Sequence, residues 1–101
     1  MFFIYILYSA SSDKYYTGYT NNYQRRTEEH NTSETLTYTS KGRPWILKAV
    51  FECSTDESIA MKIEKFIKKQ KSRTLTEKMI EGATPLTGIL AQLVKVPYVR
   101  D

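Results

Sequence analysis

The sequence predicts a single α+β domain in which helices flank a β-sheet. Residues 2–9 are apolar on both sides, Phe2, Ile4, Ile6 and Tyr8 on one and Phe3, Tyr5 and Leu7 on the other. A run of this kind marks a central strand covered on two faces. A short polar turn and a run rich in Tyr and Thr follow, which makes a hairpin the natural continuation. Further on, Ser54-Thr55-Asp56-Glu57 opens a stretch with Ile59, Ile63, Phe66 and Ile67 at helical spacing. A chain of 101 residues fills one domain with one modest core.

The elements follow in order. Ser9-Ala10-Ser11-Ser12-Asp13 is the turn, and Lys14–Thr20 is the second strand. A turn centred near Ser11 sets Tyr5 opposite Tyr16, within cross-strand reach. Gly18 weakens a strand interior unless backbone or ligand approaches closely there. Asn21 or Asn22 caps a short helix, with Gln24 in the capping-box position after Asn21. The helix ends near Asn31, a residue that tolerates left-handed backbone. One face of it carries Tyr23, Arg26, Thr27 and His30 at spacing i, i+3, i+4, i+7. A purely structural helix would place Leu or Ile there, so this face is expected to line a site.

Residues 32–44 are polar, end in Lys41-Gly42-Arg43-Pro44, and read as a loop. Trp45–Cys53 is a third strand. Ser54-x-x-Glu57 forms a capping box for a helix running to about Lys71, with Glu64 at the edge of its apolar face beyond Ala60. A further helix covers Leu75–Ile80 and stops at Gly82. Thr84-Pro85 looks like the cap and first residue of a last helix carrying Leu86, Ile89, Leu90 and Leu93. Val94–Asp101 is a short tail. Residues 1–82 therefore form the core of the domain, and the C-terminal helix and tail of 83–101 pack on it.

Composition narrows the function classes. Hydrophobic residues at 41% and charged residues at 26% describe an ordinary folded protein rather than a disordered tail. A formal charge of +4 is a mild bias towards polyanions. The single cysteine, Cys53, excludes an intrachain disulfide framework and fits a reducing interior. The apolar start lacks a basic leader region and is too short to span a bilayer, so no membrane association is expected. The expected compartment is the cytoplasm, or the nucleus in a eukaryotic source. One His and one Cys cannot build a tetrahedral zinc site. There is no Gly-rich phosphate loop and no Ser or Cys nucleophile motif, and no small-molecule cofactor is expected.

What remains is an unusual concentration of phenols near an arginine and the one histidine. Six of the 8 tyrosines (Tyr5, Tyr8, Tyr15, Tyr16, Tyr19, Tyr23) lie in the first 23 residues. Tyr also favours strands and covers half-buried faces well, so packing alone can account for the cluster. Arg26 and His30 one turn apart are common on solvated helices. Glu64 can equally pair with Lys68 at i, i+4. Lys62, Lys65, Lys68, Lys69, Lys71 and Arg73 make the most basic stretch of the chain, which is usually a solvated face.

The order of these segments is more specific than any one of them. It runs Phe3-Ile4-Tyr5, then Lys14-x-Tyr16-Thr17-Gly18-x-Thr20-Asn21, then Arg25-Arg26-x-x-x-His30-Asn31. Thr39-x-x-Gly42-Arg43-Pro44-Trp45 and Glu64-Lys65-x-Ile67-Lys68 follow, and then Arg73. From residue 1 to about residue 80 this resembles the GIY-YIG nuclease family, in particular its small stand-alone members. The first motif reads Phe-Ile-Tyr instead of Gly-Ile-Tyr, and the second reads Tyr-Thr-Gly. The polar Asn or Lys that the family carries about twelve residues after the glutamate falls here near Thr76.

The resemblance implies a three-stranded antiparallel sheet flanked by helices, and metal-dependent hydrolysis of a DNA phosphodiester, in repair or recombination. It assigns catalytic roles to Tyr5, Tyr16, Arg26, His30 and Glu64, with Glu64 holding Mg²⁺ or Mn²⁺. Lys41, Arg43, Lys65, Lys68, Lys69, Lys71 and Arg73 are the expected nucleic-acid contacts, which position without specifying. Specificity would come from DNA shape or from a protein partner docking on Leu86–Val99. Either Tyr5 or Tyr16 can serve as base, with His30 taking or relaying the proton. A phenol near pKa 10 needs ~4 kcal/mol to ionise at neutral pH, so nearby cations must help. A module that keeps this fold and binds nucleic acid without cutting it is the alternative.

Overall fold

Two strands rich in aromatic and β-branched residues start the chain in the computed structural model, which describes residues 1–34 and 37–97. β1 (Phe2–Ser9) and β2 (Lys14–Thr20) form an antiparallel hairpin. Its loop is set by Ser9, whose Oγ accepts hydrogen bonds from the Ser12 N–H and hydroxyl, and by Asp13, which takes left-handed backbone at φ 52°. The loop therefore lies one residue later than the sequence suggested. Tyr5 faces Gly18 and Leu7 faces Tyr16. Because the shift is two residues, Tyr5 and Tyr16 keep a common face and meet diagonally, ring centroids 6.3 Å apart.

Gly18 now has a physical reason. A Cβ at this position would fall on the hydroxyl end of the Tyr5 ring, so the glycine is the seat of that ring in the strand across from it. Gly18→Ala is expected to displace Tyr5 and cost about 1–3 kcal/mol, the usual range for overpacking. Urea denaturation checks this, and a variant as stable as the wild type would show that the ring can move freely.

β3 (Trp45–Ser54) pairs antiparallel with the other side of β1. A fourth strand, β4 (Val94–Lys95), pairs with β3, so the sheet has the order β2-β1-β3-β4 and four strands rather than three. Two residues are too few to show an alternating pattern, which is why the tail gave no strand signal. Residues 98–101 of that tail lie outside the described residues. A register shift at Ile6/Leu7 leaves Lys48 as an extra residue, so Leu47 joins Val50 on one sheet face while Ala49 and Phe51 take the other.

α1 (Tyr23–Thr32) is capped by Asn22, whose side chain accepts from the Arg25 N–H. Through Tyr23 it packs against Tyr5, Leu7 and Trp45 on one side of the sheet. It ends at Ser33 in extended backbone, so Asn31 is helical and not a left-handed terminus. The segment expected to be loop contains one helical turn, α2 (Thr37–Ser40).

α3 (Glu57–Gln70) and α4 (Arg73–Glu81) cover the other side, where Ile4, Ile6, Ala49 and Phe51 meet Ile63, Ile67 and Met79. The cap of α3 is Asp56, since β3 continues through Ser54, whose hydroxyl accepts from the Asp56 N–H instead. Ala60, Ile63 and Ile67 take the buried face, while Phe66, expected there, is 38% exposed. No helix opens at Thr84-Pro85. Leu90 and Leu93, three residues apart, are buried by a short 3₁₀ turn over Gly88–Gln92, whose three-residue period stacks them. Among the described residues no helix is long and apolar enough to cross a membrane.

Candidate active site

β2 is an edge strand, and a cleft of about 500 Å³ runs along it between α1 and α3. Tyr5, Tyr16, Arg26 and Glu64 all line this cleft. Four positions spread over sixty residues of sequence thus meet in one place. Strand β1 supplies the first, β2 the second, the polar face of α1 the third and the edge of the α3 apolar face the fourth.

Their partners differ. Arg26 Nη1 donates to Glu29 Oε1 at 3.0 Å, which holds the guanidinium at the cleft wall one helical turn from its backbone. Glu64 keeps 16% of its side chain exposed, and the Lys68 ammonium lies 3.7 Å from its Oε1. The same ammonium stands 4.8 Å over the Tyr16 ring. The i, i+4 pair expected from spacing is therefore formed, and it sits beside the cleft.

His30 does not line the cleft. It is 1% exposed and lies behind the phenols, with Nε2 2.8 Å from the Tyr5 hydroxyl and its ring 4.8 Å from that of Tyr16. Its other nitrogen, Nδ1, is 3.0 Å from Thr39 Oγ1 in α2. Burial, and then the charge of Arg26, pushes the imidazole down to about 4, so it is neutral at pH 7. A neutral ring that donates from Nδ1 to Thr39 can accept the Tyr5 O–H at Nε2. Tyr5 itself is held well above the usual phenol value, first by its burial and then by neighbouring Tyr16, with Arg26 pulling the other way.

Asn31 has a different task. Its side-chain amide accepts from the Trp45 N–H at 2.6 Å and donates to the Trp45 carbonyl at 2.9 Å, joining α1 to the start of β3. Trp45 Nε1 in turn donates to the Thr39 carbonyl at 2.7 Å. Sequence reasoning missed Glu29 as a site residue, and it gave Thr39, although part of a motif segment, no role. Glu29 was legible as the i+3 partner of Arg26, whereas Thr39 stood in a segment with no periodic signal.

The expected nucleic-acid contacts separate into groups. Arg43 is engaged within the fold: its Nε donates to the His30 carbonyl at 2.7 Å and its Nη2 to the Ser33 carbonyl, at the C-terminus of α1. Arg73 is likewise engaged, by Asp13 at 2.8 Å and Glu77 at 3.2 Å, and fastens the hairpin tip to α4. Lys65 and Lys69 lie exposed on α3 away from both clefts on the β2 edge, and Lys41 is exposed in the turn after α2. Lys68 and Lys71 line a second cleft, also bordered by Thr76. The Thr76 hydroxyl bonds back to the Ser72 carbonyl.

For a cation, the described residues offer no group of three or more His, Cys, Asp and Glu. Glu64 alone, with water and phosphate oxygens, suits Mg²⁺ or Mn²⁺, which keep most of their waters, and not zinc.

Residues 1–78 match the family model of the GIY-YIG catalytic domain. A UPF0213 protein of Haloquadratum walsbyi is 37% identical over 78 residues, 74% of this chain and 85% of its own length. A UPF0213 protein of Bacillus cereus is 36% identical over 73 residues, covering 72% of this chain and 75% of its own, and one from Bacillus anthracis is 34% identical over the same shares. No solved structure matches the chain significantly. With three-quarters of its length inside that model, and with Tyr5, Tyr16, Arg26 and Glu64 on one cleft, the chain belongs to the GIY-YIG catalytic-domain family.

Proposed function

We propose that the protein is a metal-dependent endonuclease that hydrolyses DNA phosphodiesters, in repair or recombination. The observation that carries this is the convergence of Tyr16, Arg26 and Glu64, from three separate elements, on one cleft open to solvent. Arg26 grips non-bridging phosphate oxygens with its planar fork. When bound at Glu64, Mg²⁺ or Mn²⁺ supplies neutralisation of charge on the phosphate and on the departing 3′ oxygen.

Tyr16 is the better base of the two phenols. It is half-buried at the cleft, whereas burial disfavours the Tyr5 anion. As phenolate, Tyr16 removes the proton of a water that attacks phosphorus while the P–O3′ bond breaks and the departing 3′ oxygen takes a proton from bulk water. Tyr5, locked by His30 and seated on Gly18, holds the wall against which Tyr16 packs. His30 is thus a positioning residue.

The second reading, a binding module without cleavage, draws support from the Lys68 ammonium beside Glu64. Incubation of supercoiled plasmid and branched DNA with Mg²⁺ or Mn²⁺ separates the two. Wild-type protein is expected to nick, a chelator to stop it, and Arg26→Ala to slow it about 10²–10³-fold, as for loss of one preorganised transition-state donor. Salt-sensitive binding without nicking would replace the nuclease reading with the module.

A further inference from the structure

Beside the catalytic cleft lies a second one, of about 630 Å³, between the hairpin tip and the α3–α4 junction. The two share Tyr16, and Lys68, whose ammonium stands over the Tyr16 ring, lines the second. Lys14 and Lys71 line it as well, with the hydroxyl residues Thr17 and Ser72. Its one carboxylate, Asp13, is taken by Arg73. Among the described residues Lys14 and Lys71 make no ion pair, so their charge faces the cleft unneutralised.

The ring faces do not offer a base-stacking platform. Tyr15 is packed against Tyr8 at 4.9 Å and has Arg73 over it at 5.1 Å. Tyr16 carries Lys68 over its ring and the His30 ring beside it. What remains on offer is ammonium and hydroxyl donors, the chemistry of a phosphate site. Lys71 adds an independent sign. It ends α3 in left-handed backbone at φ 48°, where glycine is the cheap choice and where Gly82 does the same task for α4. A lysine kept at a strained position bordering a cleft points to use of its side chain.

We infer that this second cleft binds a backbone phosphate next to the scissile one, so that a single DNA strand passes Tyr16 from one cleft into the other, gripped by Lys14 and Lys71. This rests on the nuclease reading, but its test does not depend on cleavage. Fluorescence anisotropy of labelled branched DNA over a series of KCl concentrations would compare wild type, Lys14→Gln/Lys71→Gln and the control Lys48→Gln/Lys78→Gln, two exposed lysines that line neither cleft. Loss of one phosphate contact should lower the slope of log K against log[salt] by about 1 in the first pair and leave it unchanged in the control. Lys71→Gly should weaken binding while raising the melting temperature, a combination that a purely structural lysine would not produce. An unchanged slope in the first pair, or an equal drop in both, overturns the subsite. If that occurs in a protein that still nicks DNA, the nuclease reading stands; if the wild type shows no salt-dependent binding, both fall.

Discussion

Glu64→Gln is expected to slow plasmid nicking by roughly a thousandfold or more while leaving the melting temperature within about 1 °C. The first number follows from the several kcal/mol that a cation contributes at a developing negative charge, at one tenfold per 1.36 kcal/mol. Glutamine keeps the shape of the side chain at the cleft wall but offers no charge to hold Mg²⁺ or Mn²⁺. The second follows from what the variant gives up in the fold, a partly exposed i, i+4 pair with Lys68 at 3.7 Å, worth a few tenths of a kcal/mol. Rate and melting curve on the same preparations check both. A glutamine variant that nicks at the wild-type rate would remove Glu64 from the mechanism.

The second large effect is on stability in mild acid. Buried His30 titrates at about 4 in the folded protein against about 6.5 for an unfolded histidine. The unfolded chain therefore binds the extra proton first. The stabilising term is fully present above pH 6.5, falls as pH drops, and is gone below pH 4. Its size is about 3 kcal/mol, of which about 2 kcal/mol is lost by pH 5. That upper part of the window precedes most carboxylate protonation, so urea denaturation at pH 7, 6 and 5 isolates it. His30→Gln should be less stable at pH 7 and lack this slope; a wild type equally stable at pH 7 and pH 5 would refute the buried neutral imidazole.

Much of the site was legible because its residues break local rules. An α1 face of Tyr, Arg, Thr and His where leucines belong, and a glycine inside a strand, conflict with packing propensity; Arg26 and Gly18 line the cleft, while His30 is buried behind it and Tyr23 packs against the core. The hairpin, β3, α3 and α4 were legible through periodicity and caps. What escaped depended on competition between nearby alternatives. Ser9 could set the hairpin loop one residue later by bonding to Ser12, and Asp56 could cap α3 where Ser54 stayed in the strand. Nor does sequence show that carbonyls of His30 and Ser33 accept from Arg43. β4 and α2 are too short for any periodic signal.

The run of bonds from Tyr5 to His30, from His30 to Thr39, and from the Thr39 carbonyl to the Trp45 indole bears on how this family can diversify. Polar connections between elements are ordinarily where chains accept extra residues. Here the stretch between α1 and β3 contributes a hydroxyl to a buried imidazole and a carbonyl to a buried indole, so lengthening it would be felt at the phenols. New loops or appended recognition segments are better accommodated after α4, where the chain has already left the cleft, and lineages that acquire them are expected to do so there.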